Sequence, residues 1–573
     1  MMLNSLPNVY ALGLAAIFLA AVYIYRDVRW RRFSQHADLP QLKPSLVWGH
    51  LKTLGERLSK KPAGIHHDYV FEEIMQELGN PPMFNFDMRP ISRPMVVITS
   101  HELAEQASRA SKTFPWSTNK SPTLYEISPL IGESSLLAKE GEEWKALRRR
   151  FNPGFAPKHL LSLLPCILDK TQYFIDHLDR LARSGDEFLF NELTTNLTFD
   201  IIGAVVLDVD LDAQRGKSEL VNAFQAMSKT FLNPSPPGFA KFFLRQRYIR
   251  WGLRRRMETV LRRYIIECHE KQNQAHGSIG RSRSVLSLSL EGLDTLDESL
   301  IAMIGDQMKT FLFAGHDTTS IALQWAMYEL ARTPRALAAI RAELDEIFGP
   351  DTDPATVRDQ LLGPSREELY ARLHYTSAVM KETLRLYPPA ATGRFAPKGS
   401  NFRFTMPNGQ GMSPLMDGKI LYICHYLIQR DPAVYGDTAN VFEPERWLGN
   451  TDTSMASGGD LNEAAAGLMG EKHAIPASAW RPFERGQRNC IGQELANIEM
   501  RVILACIVRR FDFEKVGLGE LLRDEKGNYV MDAYGQYKPV NRLYNATKIT
   551  AQPADGCRMR VRLSDKAQAA SKA

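Results

Sequence analysis

Hydrophobic positions along this chain recur mainly at the three- and four-residue spacing of helices, and only in short stretches at the alternation of strands. Helical periodicity dominates from about residue 140 to 345. Its longest apolar stretch, from about Leu300 to Ala331, reads as one helix built for a core. A second apolar run, Leu495 through Ile498, Val502 and Ile503, predicts another helix near the C-terminus. Between about 60 and 110, segments such as Met95-Val96-Val97-Ile98-Thr99 predict short strands. Asp555-Gly556, set between Lys548-Ile-Thr-Ala551 and Arg558-Met-Arg-Val561, reads as the turn of a β-hairpin. Three polar stretches interrupt the pattern. Asn233-Pro-Ser-Pro-Pro237-Gly238 is expected to form a mobile loop between two helices, 276–290 is rich in Ser, Gly and Arg, and 451–475 reads as an exposed insertion. The expected fold class is therefore mainly α with small β-sheets (α+β).

The N-terminus carries a different pattern. Val9 to Tyr25 is an uncharged apolar run of 17 residues, or about 26 Å as a helix. That length is close to the roughly 27 Å hydrocarbon core of the endoplasmic reticulum membrane. No basic residue precedes the run, whereas Arg26, Arg29, Arg31 and Arg32 follow it. A cleavable signal peptide has the opposite charge order. The positive-inside rule then sets the N-terminus in the lumen and the remainder in the cytosol, held by a single-pass anchor. Residues 1–32 are read as anchor and basic flank, 33–45 as a linker stiffened by Pro40 and Pro44, and 46–573 as one large catalytic body.

Composition agrees with that reading. The 573 residues are 44% hydrophobic and 24% charged, which describes a globular chain with a large core. Six cysteines (166, 268, 424, 490, 506 and 557) show no paired spacing, so a reducing compartment fits better than a disulfide framework. The sequons at Asn196 and Asn545 are expected to stay unglycosylated. A formal charge of +6 is too small to argue for nucleic acid. The basic run Arg245, Arg247, Arg250, Arg254, Arg255 and Arg256 reads as a polar helix face, or as a contact with anionic lipid.

The richest chemistry lies in Phe483-Glu-Arg-Gly486-Gln-Arg488-Asn-Cys490-Ile-Gly492. One cysteine sits in a turn-forming loop ahead of a helix, with basic groups nearby. Positive charge and a helix N-terminus both favour a thiolate that can bind a metal. Gly486 and Gly492 would let backbone approach a flat ligand and present amides to the sulfur. Upstream, Trp144 and Arg148 stand four apart on one helix face, and an indole with a guanidinium suits a carboxylate. Phe313-Ala314-Gly315-His316-Asp317-Thr318-Thr319-Ser320 places glycine and consecutive hydroxyls inside the long apolar helix, where they oppose regular helix and mark a site. Lys381-Glu382-Thr383-Leu384-Arg385 ends at Pro388-Pro389, and Arg446 follows in Phe442-Glu-Pro444-Glu-Arg446-Trp447. Arg394 comes shortly after the paired prolines.

In this order and spacing, the set resembles the cytochrome P450 family, from about residue 40 to the C-terminus. The resemblance implies the cytochrome P450 fold and heme b (iron protoporphyrin IX), with Cys490 as the metal ligand. Trp144, Arg148, Arg394 and Arg488 would contact the heme propionates, while Phe483, Gly486, Gly492, Ala314 and Gly315 would lie against the heme. Thr318 corresponds to the hydroxyl of the oxygen-binding groove, and Asp317 to the acid that relays protons. Glu382, Arg385 and Arg446 correspond to a buried structural charge network behind the heme. Gln487 and Trp447 depart from the commoner proline and phenylalanine without changing a ligand or a charge.

The activity implied is oxidoreductase chemistry, a membrane-anchored monooxygenase inserting one oxygen atom from O2 into an apolar small molecule. Electrons would come from NADPH through a separate cytochrome P450 reductase, with cytochrome b5 as an optional second donor, because no dinucleotide fingerprint or flavin domain is present. Lys145, Arg149, Arg150, Arg485 and Arg488 would steer that acidic donor or form a solvated face. Pocket walls are expected from the loop Trp116 to Leu130, from Phe311 to Ala314, from 390–393 and from the final hairpin. The anchor, the groove motif and the cysteine loop are similar to filamentous-fungal microsomal members acting on secondary metabolites such as those of sterigmatocystin-like pathways, polyketide or terpenoid. A fatty-acid or alkane hydroxylase, a heme-thiolate isomerase or dehydratase that does not use O2, and a non-catalytic heme sensor remain as alternatives.

Overall fold

In the computed structural model, residues 6–216, 218–231, 244–274, 284–409, 411–448 and 475–572 are described. The apolar N-terminal run lies within a helix, Leu6–Phe33, and within Tyr10–Phe33 an 18-residue apolar window has a mean hydropathy of 1.6 and is 0% buried. Long enough to cross a membrane, it is the one such helix among the described residues. The expected loop 233–238 and insertion 451–475 lie essentially outside those residues, as does 276–283. The end of the polar stretch at 276–290 is instead a short helix, Val285–Leu290, capped by Ser284.

The long apolar stretch forms one helix, Glu298–Arg332, opened by an Asp297 cap whose carboxylate accepts from Leu300 N–H. It is buried along most of its length and packs closely against helix Phe190–Ile202. Gly315 permits that contact. A Cβ there would meet Ile202 Cδ1 at 2.6 Å. The helix runs unbroken through Ala314–Ser320, where hydroxyls settle on its carbonyls: Thr318 on Ala314 (2.9 Å), Ser320 on Asp317 (3.1 Å) and Thr198 of the neighbouring helix on His316 (2.7 Å).

The strands β1 (Met83–Asp87), β2 (Pro94–Ile98), β3 (Asn119–Lys120), β5 (Thr392–Phe395) and β6 (Ile420–Ile423) make one sheet, in the order β1-β2-β6-β5-β3. Only β2 and β6 run parallel within it. β4 (Phe188–Leu189), β7 (Phe511–Lys515) and β10 (Arg558–Leu563) form a second sheet. β8 (Asn545–Thr547) and β9 (Ala551–Pro553) form a hairpin.

That hairpin corrects the sequence reading. Asp555-Gly556 does not join two paired strands: Lys548 to Thr550 turn the hairpin, and β10 pairs elsewhere. Asp555 instead ties to Lys515 and accepts from Cys557 N–H at 2.9 Å. A short polar turn signal fixes a reversal but not the partner of the strand that follows it.

The basic flank and linker also differ from expectation. Arg32 is buried, its guanidinium on Asp87 (2.6 Å) and on the carbonyls of Leu46, Val47 and Arg89. Residues 33–45 follow the body rather than spanning open space: Leu39 is buried, and Pro40 O accepts from Asn85 N–H in β1 at 2.8 Å.

Glu382, on helix His374–Leu386, is the hub of a sealed charge network. Its carboxylate takes two bonds from Arg385 (2.8 and 2.7 Å), one from Arg446 (3.1 Å), the Glu443 amide (3.0 Å) and the Trp447 indole (3.0 Å). Arg385 also caps the carbonyls of Gln429, Ala439 and Val441. Burial alone would raise the Glu382 carboxyl, but the two arginines hold it below its ordinary value.

Glu382→Gln removes the charge and leaves Arg385 sealed without a counter-ion, a loss on the order of 3–5 kcal/mol. Thermal unfolding of the variant at neutral pH should begin well below that of the native chain. The sign of the pH effect follows from the depressed carboxyl. Its contribution is fully present above the unfolded value of about 4.3 and is lost as pH falls through the lower folded value. The variant's deficit should therefore shrink in acid, and a gap independent of pH would refute the ionic assignment.

Candidate active site

Cys490 combines two properties that seldom coincide. It has exposed surface, yet protein surrounds it closely enough that burial is the leading influence on its thiol. A side chain both accessible and desolvated fronts an interior space. On the long helix, Ala314, Gly315 and Thr318 are partly exposed within an otherwise buried run, and their spacing puts them on one face. The chain thus offers a sulfur from one element and a groove with a hydroxyl from another.

The loop carrying Cys490 is held by its own backbone and by its neighbours. Cys490 N–H donates to Phe483 O (2.9 Å), and Asn489 N–H to Gly486 O (3.1 Å). Gly486 adopts φ +77°, and a Cβ there would strike Ser108 O at 2.2 Å. This glycine is required by the close approach of the Ser108 backbone. Gly492 leads into helix Gln493–Ile507, and its amide and that of Gln493 point at the sulfur. The expected fall in the thiol pKa is not the net outcome. Burial raises it, while the two amides, Arg148 and Lys120 pull the other way. A bound metal cation is what would make such a sulfur a thiolate outright.

An aromatic ladder joins this loop to the charge network. Trp447 donates to Glu382, its ring lies 6.2 Å from Trp480, and Trp480 lies 6.0 Å from Phe483. The Trp480 indole also donates to Lys381 O at 3.0 Å. Sequence reasoning treated Trp447 as a neutral replacement and did not single out Trp480. The tryptophan in place of phenylalanine adds a donor to the hub carboxylate.

Cations gather beside the same space. Arg394 on β5 is fully buried. One of its nitrogens donates to Ser117 Oγ at 2.9 Å, while Nε and the other terminal nitrogen have no partner. Directly opposite on β3 stands Lys120, whose ammonium is pushed well below its usual value by burial and by Arg394 and Arg488. Arg488 donates to Glu140 and to Lys139 O, keeps Nε unpartnered, and is pulled down to about 10, chiefly by burial. It also lies 5.0 Å over the buried Trp144 ring. Arg148 takes a different place. Its fork grips Asn489, at the carbonyl (2.8 Å) and the side-chain oxygen (3.0 Å), and so braces the cysteine loop.

These residues fit a heme. Buried guanidinium nitrogens without acceptors call for an anionic ligand: Nε and one terminal nitrogen of Arg394 and Nε of Arg488 have none, while Glu140, bonded to the Arg488 guanidinium and the Lys120 amide, and Glu484 are the carboxylates that act on this cation set. Two carboxylates on a flat apolar body, with a metal facing Cys490, would satisfy them. Lys120 was missed in the sequence, where no spacing sets it apart. Glu499 was missed as well: buried on the cysteine helix, it touches Thr319 and is pushed up to about 8 by burial.

On the far side of the long helix, Asp317 is buried, and its carboxylate is held by Thr550 and by Gln552 (2.7 Å). Asp317, His316, Lys548 and Gln552 line a polar cleft of about 450 Å³. On the cysteine side, a second cleft of about 530 Å³ is lined by Trp116, Trp144, Lys145, Arg148 and Arg149. Arg485 is ion-paired with Glu105, and Arg150 is engaged with Ser289 O, so the basic groups of that cleft are Lys145, Arg149 and the Asn489-bound Arg148.

Comparison with known proteins agrees with this geometry. The family model "Cytochrome P450" matches residues 40–535. The chain is 32% identical to cytochrome P450 monooxygenase acrF of Aspergillus aculeatus, over 88% of this chain and 98% of that one. It is 28% identical to cytochrome P450 monooxygenase polC of Polytolypa hystricis, over 88% and 87%. A solved cytochrome P450 (CYP102L1) superposes with a TM-score of 0.65 at 20% identity, covering 88% of this chain and 100% of that one, which shows the shared fold. With an accessible cysteine among packed elements, buried guanidinium nitrogens without acceptors, and a family match across most of its length, the chain belongs to the cytochrome P450 family and is a heme-dependent monooxygenase.

Proposed function

We propose that this chain is a membrane-anchored heme-thiolate monooxygenase of the endoplasmic reticulum that acts on an apolar fungal secondary metabolite, a polyketide or terpenoid. The observation that carries the heme-thiolate part is Cys490, accessible within a packed body, with Arg148 and Lys120 acting on its thiol and, paired across from Lys120, Arg394 with two unpartnered nitrogens. Support for the substrate class comes from the relatives in Aspergillus and Polytolypa, both named monooxygenases. The exposed apolar helix Leu6–Phe33 supports the anchor, with its N-terminus in the lumen and the catalytic body in the cytosol.

In this reading Cys490 would ligate the iron, its charge tempered by the Gly492 and Gln493 amides. Arg394, Arg488 and Lys120, with the Trp144 indole beside them, would receive the propionates. Arg148 keeps the cysteine loop in place through Asn489. The heme, when bound, supplies activation of dioxygen and transfer of one oxygen atom. Phe311, Phe313 and Ala314 present an apolar wall to the substrate. Asp317 takes protons from the polar cleft, and the Thr318 hydroxyl, released from Ala314 O, passes them into the groove. Electrons come from NADPH through a separate reductase, and the cleft bearing Lys145 and Arg149 suits an acidic donor surface.

Four measurements test the reading. Co-expressed with a fungal NADPH–cytochrome P450 reductase and supplied with 18O2, the chain should place one labelled oxygen in a member of a polyketide and terpenoid panel. Labelling confined to fatty acids would reassign the substrate class. Cys490→Ser should abolish the red-shifted carbon-monoxide band of the reduced pigment, and survival of that band would remove the ligand assignment. Arg394→Met should speed heme loss by about tenfold or more, since a charge-assisted hydrogen bond is worth roughly 1.5–3 kcal/mol. Unchanged retention would mean that the propionates lie elsewhere. Thr318→Ala, finally, should raise peroxide release per NADPH at the expense of product.

A further inference from the structure

Asp317 and Thr318 are consecutive on the long helix and so point about 100° apart around its axis. Thr318 shares the partly exposed interior face with Ala314, while Asp317 is turned towards the final hairpin. There Thr550, buried in the hairpin turn, donates its hydroxyl to Oδ2, and Gln552 on β9 donates its amide to Oδ1 at 2.7 Å. Gln552 also reaches Thr550 Oγ1 at 3.4 Å, so the two donors form one clamp. Ala551, between them, donates its N–H to Pro389 O at 2.8 Å. That bond fixes the clamp to the second of the paired prolines.

A carboxylate offers about four acceptor positions, and two donors fill half of them. The remaining lone pairs lie beside a polar cleft lined by Asp317, Lys548, Gln552, Thr195 and Gln225. We propose that Thr550 and Gln552 are positioning residues for proton delivery: they hold Asp317 between the cleft and the groove, so that a proton taken from cleft water leaves on the Thr318 side. The aspartate gains one proton and releases one, returning to its carboxylate form with no change of charge over the cycle. Neither residue touches the reacting atoms. Both act through Asp317, and the inference rests on the proton-relay reading of that acid.

The test uses full-length holoenzyme with a fungal NADPH–cytochrome P450 reductase and no organic substrate, where dioxygen alone divides between peroxide and water. The quantity read is peroxide formed per NADPH consumed. Thr550→Val and Gln552→Leu should each raise it at least twofold, towards the value of Asp317→Asn, and Thr550→Ser should restore the native ratio. Hydrogen exchange of residues 545–556 should quicken in Asp317→Asn, because the clamp is reciprocal. Faster exchange in Thr550→Val and Gln552→Leu with an unaltered peroxide ratio would make the contact a mere fastening of the hairpin and overturn the proposal. An unaltered ratio in Asp317→Asn would overturn the acid's own role, and the clamp's with it. Gln552 is only half-buried, so its variant keeps the test decisive should Thr550→Val fail to fold.

Discussion

A guanidinium sealed inside the protein with two nitrogens unmatched is the constraint on which this structure turns. Burying such a charge without acceptors costs several kcal/mol, and Arg394 is held there by β-sheet pairing on both sides of its strand. The sheet register also sets Lys120 directly across from it, which adds repulsion rather than relief. The polypeptide therefore crowds Arg394, Lys120 and Arg488 together, with Glu140 and Glu484 as the neighbouring carboxylates, and Lys120 also acts on the Cys490 thiol. An anionic, flat, metal-bearing ligand removes both penalties in one binding event. Its binding energy is then also folding energy, because nothing in the unfolded chain offers the same site.

The two sides of that space are built differently. On the sulfur side, order is enforced by several independent means: a five-bond carboxylate hub at Glu382, a tryptophan ladder, Arg148 on Asn489, and a glycine packed against Ser108. A ligand atom whose position fixes the electronics of a metal gains from such over-determination. On the groove side the polar groups have local, exchangeable partners. Thr318 rests on a carbonyl of its own helix, and Asp317 rests on two neutral donors beside a polar cleft. A neutral hydrogen bond is worth roughly 1 kcal/mol, small enough to be broken and remade during turnover.

Much of this was legible in the sequence because it depends on local spacing. Cys490 in its loop, the acid and hydroxyls at 317–320 and the Glu382–Arg385 pair are each set within a short stretch of chain, and the long helix was placed to within two residues. What escaped was non-local. Lys120 matters because β3 pairs with β5, Trp480 because it stands between two other aromatic rings, and Thr550 and Gln552 because the hairpin turns at 548–550 rather than at 555–556. No periodicity encodes which distant strand a segment joins. The thiol of Cys490 shows the same limit in another form. The helix N-terminus was read correctly as pulling its pKa down, but the cations that help it are Arg148 and Lys120 rather than the arginines of its own loop, and burial, which sequence does not report, outweighs them all.

The junction between the apolar N-terminal helix and the body follows the same logic. Four arginines after an apolar run look interchangeable in a charge count, yet Arg32 differs from the other three. Its guanidinium is enclosed by Asp87, itself gripped by Arg89, and by three backbone carbonyls. The two arginines and the hydrogen-bonded backbone hold the Asp87 carboxyl below its ordinary value. Such a buried pair has little freedom, and it lies at the last turn of helix Leu6–Phe33. Gly49 approaches the same guanidinium so closely that a Cβ would meet it at 2.7 Å, so even the turn beyond the linker is shaped around this contact. The helix end is thereby docked on β1 rather than strung from a free tether, and the direction in which the apolar helix leaves the body is set by the fold. A charge that topology rules assign to the membrane flank is spent here on aligning the two parts of the chain.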